Sequence, residues 1–439
     1  MKLRCLRSVP VVMMFILLQG CKGRPVDPGE SQRLRIVPVD VLCTEAWLGI
    51  HAGPSVWSST VEIWRDTTRV ASYSVGAADT VIVDTTVLPN TTYRFYAKQI
   101  SSGMVQDQTD WATVQTMDTT SNAITWGQPI AIGEGALSDV QFVDDTLAYA
   151  VGSIYLPDSL GHLDPDQYNF LIWRGSHWNA TRVFFHTICG QSSLSPYNTS
   201  ALLVLGGSDI WIAMAGNQII RWNGQAQREA MCLPVDFSIA KMWGKDSNSV
   251  YVVGSGGNVL FFDGTTWTRI ESGTNLDFQD IWGSVDQQTG QQQILAVASN
   301  GTESKIVKIQ GATATEVNGN GLSPSLHGVW FVTNHIYYSV GSGIHYKAIL
   351  DRSPWMVYPL GAVTLYQSTF VRGTGVNDVF VGGGYFELVH FNGAVWRSYK
   401  DAIPSVDGAW ASIAFHGNLV IAVGLAGQQA VGIIGRRTL

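Results

Sequence analysis

The feature of this chain that most constrains its fold is a short phrase that recurs about every 42 residues from residue 137 onward. In each copy an apolar run ends in a small residue, a second apolar run leads to a Gly turn, and a Trp often follows three residues later. The clearest copy consists of residues 252–254, residues 259–264 and Trp267. Repeats of this length, built from short strands, indicate one structural unit copied around a ring or along a stack.

Two independent registers count the copies. The small residue that ends the second strand of each copy is predicted at Gly152, Met214, Gly254, Ala298, Gly341, Gly382 and Gly424. The turn after the third strand is predicted at Gly175, Gly224, Gly264, Gly311, Arg352, Gly393 and Gly435. Both registers give seven units, and each unit reads as four antiparallel strands with an inner strand such as residues 279–282 first.

The residue types at the turns and on the outer strands refine this prediction. Dipeptides such as Asp263-Gly264 and Asn392-Gly393 predict two-residue hairpins, because both central residues of that turn need a positive φ. Four strands in about 42 residues is the size of a propeller blade. The aromatic side chains that follow the turns are expected to pack between neighbouring blades; they are Trp178, Trp267, Trp355 and Trp396.

The last repeat lacks its outer strand, because the chain stops at Leu439, shortly after Gly435. The segment from Ile124 through Trp126 to about Ile132 has the missing character. Pairing it with the last repeat would close the ring and remove two exposed strand edges. The sequence therefore predicts an all-β fold in which residues 121–439 form a seven-bladed β-propeller, closed by an N-terminal strand in its last blade. An open stack is the alternative.

Residues 33–120 alternate apolar and polar residues in the manner of a β-sandwich, with Trp47 expected in its core. One strand opens at Tyr93, after Leu88 and a Pro-containing turn. This segment resembles the signature of fibronectin type III domains. The resemblance implies an immunoglobulin-like sandwich in which the Tyr93 hydroxyl bonds back to the backbone of the turn. Because no Arg-Gly-Asp tripeptide occurs, we expect a spacer rather than an adhesive module.

Residues 1–20 read as a signal peptide, with a positively charged start and an apolar run of about ten residues. A membrane span needs about twice that length, which disfavours the alternative of a signal anchor. The run ends in Leu18-Gln19-Gly20-Cys21, which resembles the lipobox of bacterial lipoproteins. The resemblance implies cleavage before Cys21, acylation of that cysteine with fatty acids such as palmitate, and attachment to the membrane of the bacterial cell envelope. Residues 21–32 are expected to be a flexible tether.

Two further observations bear on location and partners. Lys22 stands where the inner-membrane retention signal has Asp, so we expect sorting to the outer membrane. The net charge is −7 and no run of Lys or Arg occurs, which disfavours nucleic-acid binding. Cys189 and Cys232 follow the outermost strands of neighbouring repeats. A disulfide between them is possible in an exported protein, but the sequence favours two separate, small apolar side chains.

The residues that could form a metal site in this sequence are better explained by structural roles. Asp158, Asp164 and Asp166 lie in an insertion, residues 155–168, and could bind a hard cation, but ordinary turn chemistry explains them better. The insertion remains the best sequence-based candidate for a contact surface. His186 lies near Cys189 without the further ligands that zinc requires.

The turn of the third repeat is similar to the Asp box of sialidase-like propellers. It departs from that motif because Phe261 replaces the Ser or Thr and Gly264 follows the Asp directly.

From the lipobox, the spacer and the ring together, we expect a monomeric, lipid-anchored binding or scaffold protein, with a protein or glycan partner and no cofactor or metal. The alternative is a carbohydrate-active propeller enzyme, a glycoside hydrolase or lyase, with its site at one mouth of the channel.

Overall fold

The structure is a computed structural model that describes residues 33–438, except residues 77–78, 229, 287–288, 352–353 and 404–406. In this part of the chain the regular structure is β-strand, with short 3-10 segments at Pro54–Val56 and Ser255–Gly257. No helix among the described residues has the length and apolarity to cross a membrane. The leader, the tether with Cys21, and the turn residue Arg352 lie outside the described residues. The chain forms two compact units, with the main division after Thr120.

The first unit is a sandwich of two antiparallel sheets around one apolar core. One sheet has the spatial order β1 (Arg35–Val41), β2 (Ala46–His51) and β5 (Thr80–Asp84). The other has the order β4 (Thr68–Ser74), β3 (Thr60–Arg65), β6 (Thr92–Ser101) and β7 (Met104–Gln108), with β8 (Ala112–Gln115) also paired to β6.

Two sequence expectations can be compared with this sandwich. The Tyr93 hydroxyl accepts a hydrogen bond from the Leu88 N–H at 2.9 Å, which is the backbone contact that the resemblance implies. The placement of Trp47 in the core is wrong, because its indole is only half-buried and the core on β2 is filled by Ala46 and Leu48. Successive side chains of a strand point to opposite faces, so Trp47 cannot share the face of its neighbours.

The second unit contains seven antiparallel blades within the described residues: blades two to six are separate four-stranded sheets, and blades one and seven belong to one eight-stranded sheet. Blades one to three are β10 (Ile130–Asp144), β11 (Leu147–Tyr155), β12 (Tyr168–Trp173), β13 (Trp178–Thr181); β16 (Thr199–Val204), β17 (Ile210–Met214), β18 (Gln218–Trp222), β19 (Met231–Cys232); and β20 (Ile239–Asp246), β21 (Ser249–Gly254), β22 (Asn258–Phe262), β23 (Trp267–Glu271). A small hairpin of β14 (Phe185–His186) and β15 (Leu194–Ser195) lies in the connection between blades one and two.

The remaining blades repeat the same order of pairing. They are β24 (Phe278–Val285), β25 (Gln292–Ser299), β26 (Ser304–Gln310), β27 (Thr313–Glu316); β28 (Leu326–Val332), β29 (Ile336–Gly341), β30 (Gly343–Lys347), β31 (Met356–Tyr358); β32 (Ser368–Gly375), β33 (Asp378–Gly383), β34 (Leu388–Phe391), β35 (Trp396–Ser398); and β36 (Gly408–His416), β37 (Leu419–Ala426), β38 (Gln429–Arg437) with β9 (Ile124–Trp126).

The blades close into a ring. The first strand of each blade packs beside the first strand of the next, and β36 of blade seven packs beside β10 of blade one. The outer strand of blade seven comes from the start of the unit: Trp126 lies opposite Gly435, and Ile130 lies opposite Gly432. A Cβ at Gly435 would lie 2.8 Å from the Trp126 ring, so glycine lets the indole lie flat on the strand. The predicted closing segment is confirmed by this pairing, but the predicted turn at Gly435 is wrong, because Gly435 lies within β38.

Every first strand has a β-bulge at the same place, and this bulge explains why the second strand of most blades ends in a small residue. Leu137 pairs with Gly152 and Ile239 pairs with Gly254, and in each case the bulge follows. A Cβ on Gly254 would lie only 2.0 Å from a backbone carbonyl oxygen, so this copy requires glycine there. In blade six the equivalent residue is Gly383, so the predicted Gly382 is wrong by one position. The three consecutive glycines of residues 382–384 leave the register open in the sequence.

The hairpin turns differ from the prediction. Four residues separate the paired ends of β22 and β23, and of the Asp263-Gly264 pair only Gly264 has a positive φ. The Asp263 carboxylate accepts the N–H groups of Thr265 and Thr266, both at 2.8 Å, and these bonds hold its pKa well below the usual range. The two-residue hairpin is therefore wrong: the Asp caps its own turn, which removes the need for a second left-handed residue.

The outer-strand tryptophans pack between neighbouring blades, as predicted. Trp267 of blade three meets Trp211 of blade two with a ring separation of 6.3 Å. Trp396 of blade six meets Tyr338 of blade five at 6.3 Å. Trp126 in the closing strand meets Tyr399 edge-to-face at 5.4 Å.

Cys189 and Cys232 form a disulfide with a Cα separation of 6.0 Å, so the expectation of two separate cysteines is wrong. The β14–β15 hairpin carries Cys189 back to the outer strand of blade two, a return that the repeat pattern does not reveal. Gln218 holds the same hairpin, because its side-chain amide exchanges two hydrogen bonds with the backbone of His186, at 2.8 and 2.9 Å.

Candidate binding site in the central cavity

The first strands of the ring enclose a cavity of about 330 Å³. Its polar lining comes from the same part of the first strand in different blades, because residues shortly after the bulge face the ring axis. The residues with polar or indole side chains in this lining are Asp139, Gln141, Lys241, Trp243, Trp282, Arg372, Thr374 and Ser412.

An ion pair joins blade one to blade three across this cavity. The Lys241 ammonium lies 2.6 Å from the Asp139 carboxylate, and both side chains are largely buried. Asp139 also accepts the Ser412 hydroxyl of blade seven at 2.7 Å and the Leu202 N–H of blade two at 3.0 Å. Four blades therefore meet on one carboxylate.

A second ion pair joins blade four to blade six. Arg372 donates two hydrogen bonds to Asp280, at 2.6 and 2.8 Å, in the paired geometry that a guanidinium and a carboxylate favour. Asp280 also accepts the Val329 N–H of blade five at 2.9 Å. Burial acts to lower the pKa of Arg372, but the charge and hydrogen bonds of Asp280 outweigh it and raise that pKa.

Indole rings form part of the apolar wall, and two of these rings fit because the facing residue of the next blade is glycine. A Cβ at Gly283 would lie 2.4 Å from the Trp243 ring, and one at Gly373 would lie 2.9 Å from the Trp330 ring. Trp282 instead donates its indole N–H to the Phe331 carbonyl at 3.2 Å. The indole rings of these tryptophans pack between neighbouring blades, and Trp243 and Trp282 also line the cavity.

The pairing of the charges decides what this cavity can do chemically. A general base or a nucleophilic carboxylate needs a free lone pair directed at the substrate. Asp139 and Asp280 instead each accept several bonds from groups of the ring itself, and Lys241 and Arg372 are each bound to one of these carboxylates. The arrangement is therefore better suited to holding a ligand than to transferring its protons.

A second polar cluster lies where blades six and seven meet. Asp378 binds the imidazole of His390 at 2.8 Å and the guanidinium of Arg437. Burial acts to raise the pKa of Asp378, but these bonds outweigh it and hold the pKa at about 2. Burial also lowers the pKa of His390, whose other ring nitrogen lies 2.6 Å from the Asn122 side chain, just before the closing strand. This cluster links blade six to β38 and to the segment just before β9, and these two strands close the ring.

The sequence-based candidates outside the cavity are not brought together as a site. Asp158 accepts N–H groups of its own turn, and Asp164 binds Arg182. Among the described residues no group of His, Cys, Asp and Glu side chains has the arrangement to hold a metal ion. His186 cannot share a zinc ion with Cys189, because the sulfur of that cysteine is bonded to Cys232.

Sequence reasoning missed the two ion pairs at the cavity wall, Asp139 with Lys241 and Asp280 with Arg372, although a signal was present. Asp139, Lys241 and Asp280 occupy the same position, two residues after the residue that pairs with the small residue at the bulge. A charged side chain at a repeated position of an otherwise apolar strand indicates that the position faces a shared polar space. Only the closed ring shows which charges meet.

The closed ring of four-stranded blades defines this unit as a β-propeller. No protein-family model and no curated protein matches the chain. Solved structures show similarity of fold: YCF48, solved bound to a D1 peptide, has a TM-score of 0.53 at 14% identity, covering 73% of this chain and 97% of that one. The WD40 β-propeller domain of Doa1 has a TM-score of 0.50 at 11% identity, covering 71% of this chain and 97% of that domain.

Proposed function

We propose that this protein is a binding module that holds a polypeptide segment of a partner in the central cavity of its propeller. The observation that carries the proposal is the cavity itself, which combines indole walls with charges that are already paired to each other. Such a lining offers apolar area and hydrogen bonds without an activated group. The peptide bound to the structurally similar YCF48 propeller supports a polypeptide as the occupant.

We also propose that the first unit is a fibronectin type III-like spacer and that Cys21 carries the lipid of an outer-membrane lipoprotein. Two sheets with a Tyr93–Leu88 hydrogen bond support the first assignment, and the disulfide supports export to an oxidising compartment. Cys21→Ala should abolish incorporation of labelled palmitate and move the protein from the membrane to the soluble fraction. A variant that remains in the membrane fraction would contradict the lipid anchor.

The binding proposal is tested by photo-crosslinking from inside the cavity. A benzoyl-phenylalanine replaces Phe142, which lines the cavity, and in a matched control it replaces Phe184, which is exposed outside it. The Phe142 probe is expected to give a protease-sensitive adduct in native envelopes that the Phe184 probe does not give. Adducts only with the control, or adducts that resist protease and contain glycan, would contradict a polypeptide occupant.

The rival function, a carbohydrate-active enzyme, has one observation in its favour: Asp139 and Arg372 both line the cavity, and a second acid, Asp280, is bonded to Arg372. Turnover of envelope polysaccharides by the purified protein separates the two functions. Hydrolysis or elimination that disappears in Asp280→Asn, with the fold intact, would replace the binding proposal by the enzymatic one.

A further inference from the structure

A pair of exposed aromatic rings lies on blade six, outside the central cavity. The rings of Tyr366 and Tyr385 are 4.4 Å apart with their planes tilted by 36°. Their exposed fractions are 39% and 49%. Tyr366 belongs to the connection between blades five and six, and Tyr385 belongs to the turn between β33 and β34. Two large rings that leave this much surface in water are suited to contact with a ligand.

The backbone under these rings is held rigidly. Tyr385 and the next residue, Phe386, both have left-handed φ values, of 52° and 57°. A left-handed backbone is unfavourable for residues other than glycine. The surroundings hold this turn in place: the Phe386 ring packs 4.4 Å from the Trp410 ring, and the Tyr385 N–H donates to the Gly408 carbonyl at 2.8 Å. Strain of this kind often marks functional turns.

A buried carboxylate joins the two segments that carry the rings. Glu387 is 7% exposed, and its two oxygens accept the N–H groups of Leu365 and Tyr366 at distances between 2.8 and 3.0 Å. The connection between the blades is thereby fixed to the strained turn. A ligand that stacks on the two rings therefore meets a surface that is already ordered, so little conformational entropy is lost on binding.

The exposed polar side chain next to Tyr366 is neutral, whereas the Glu387 carboxylate is buried beneath the rings. Gln367 follows Tyr366 directly, is exposed, and places its amide nitrogen 3.2 Å from the hydroxyl of Ser342 in blade five. Amides and hydroxyls both donate and accept hydrogen bonds, as the hydroxyls of a sugar do. A proline-rich segment offers mainly carbonyl acceptors, and a nucleic acid would need a basic surface.

We propose that Tyr366 and Tyr385 form a stacking site for a neutral glycan, with Gln367 and Ser342 bonding the hydroxyls of the sugar. The C–H face of a pyranose ring would cover the aromatic rings while its hydroxyl edge faces the amide. This site is separate from the central cavity and does not depend on the polypeptide proposed there.

Isothermal titration of the purified full chain with cellohexaose and with chitohexaose tests the site. Binding of at least one hexasaccharide is expected, with at least tenfold weaker affinity in Tyr366→Ala and in Tyr385→Asn. Asparagine is chosen because it tolerates the left-handed backbone. Tyr385→Phe, which keeps the ring, and Met356→Ala, an exposed control on β31, should bind like the parent protein.

Gln367→Ala provides a variant that leaves the packed turn intact, and it should weaken binding several-fold. Absence of binding to both hexasaccharides would overturn the proposal, as would equal affinity in the parent and in folded ring-loss variants. Binding of a decaproline peptide that depends on the same two tyrosines, without hexasaccharide binding, would assign the surface to a peptide instead. Crosslinking from Phe142 is a separate readout, so its failure would concern the cavity alone.

Discussion

Replacing both Cys189 and Cys232 by Ser removes a cross-link between residues 43 positions apart. In the chain-entropy account, a disulfide stabilises by restricting the unfolded chain, and the effect grows with the logarithm of the loop length. For this loop the relation gives about 4 kcal/mol at 25 °C. The double Ser variant is therefore expected to be about 4 kcal/mol less stable than the oxidised parent.

This loss converts into a shift of the melting temperature. Unfolding entropy of about 2.1 cal/mol/K per residue, over the roughly 320 residues of the propeller, gives about 0.7 kcal/mol/K. The Tm of the propeller should therefore fall by about 6 °C. Differential scanning calorimetry of the parent and the double variant, each with and without a phosphine reductant, measures the shift.

The reductant supplies the control, because it should lower the parent to the Tm of the variant and leave the variant unchanged. Equal melting temperatures of the oxidised parent and the variant would refute the reasoning. So would a reductant effect of the same size in both proteins, since the variant has lost the cross-link.

Three further predictions concern the ring. Deleting residues 121–132 should lower the melting temperature and broaden the transition, because β38 loses its partner strand; an unchanged calorimetric trace would contradict the closure. Asp280→Asn should lower the free energy of unfolding in urea by about 3–5 kcal/mol, because it leaves Arg372 buried without its counter-charge. Replacing both Asp280 and Arg372 by apolar residues should restore much of this lost stability. The pKa of Asp378 is lowered from 3.8 to about 2 in the folded protein, so its contribution to the free energy of unfolding is present above pH 4 and is lost as the pH falls towards 2. The pKa of His390 is also lowered by folding, so this residue adds a loss of stability below about pH 6.5. Urea midpoints should therefore fall on acidification, and they should fall less in Asp378→Asn.

The fold of the ring was largely predictable, because its constraints are local. Glycine is needed where a Cβ would meet a carbonyl oxygen of the neighbouring strand, as at Gly254 and Gly341, and this need recurs in most blades. The missing outer strand was predictable for the same reason, since Trp126 repeats the character of the other outer-strand tryptophans. The errors arose where local pattern is ambiguous, in the glycine run at residues 382–384 and in the face of the strand that carries Trp47.

The site was not predictable, because its partners are far apart in the chain. Asp280 and Arg372 are 92 residues apart, and only the closure of the ring brings them within hydrogen-bond distance. The disulfide illustrates the same limit, because a hairpin inside an irregular connection decides where Cys189 lies. The aromatic pair of Tyr366 and Tyr385 likewise joins two connections whose geometry no repeat pattern specifies.

Stability alone does not account for the two ion pairs inside the ring. Replacing a buried ion pair by packed apolar residues is often neutral or stabilising, so four charges in this position need another reason. Each pair joins blades that are separated by one blade, and each carboxylate also binds a backbone N–H of the blade between them. The pairs thereby align three consecutive blades and keep part of the cavity lining polar. Because their lone pairs are occupied by groups of the ring, these carboxylates are fixed parts of the wall between the blades.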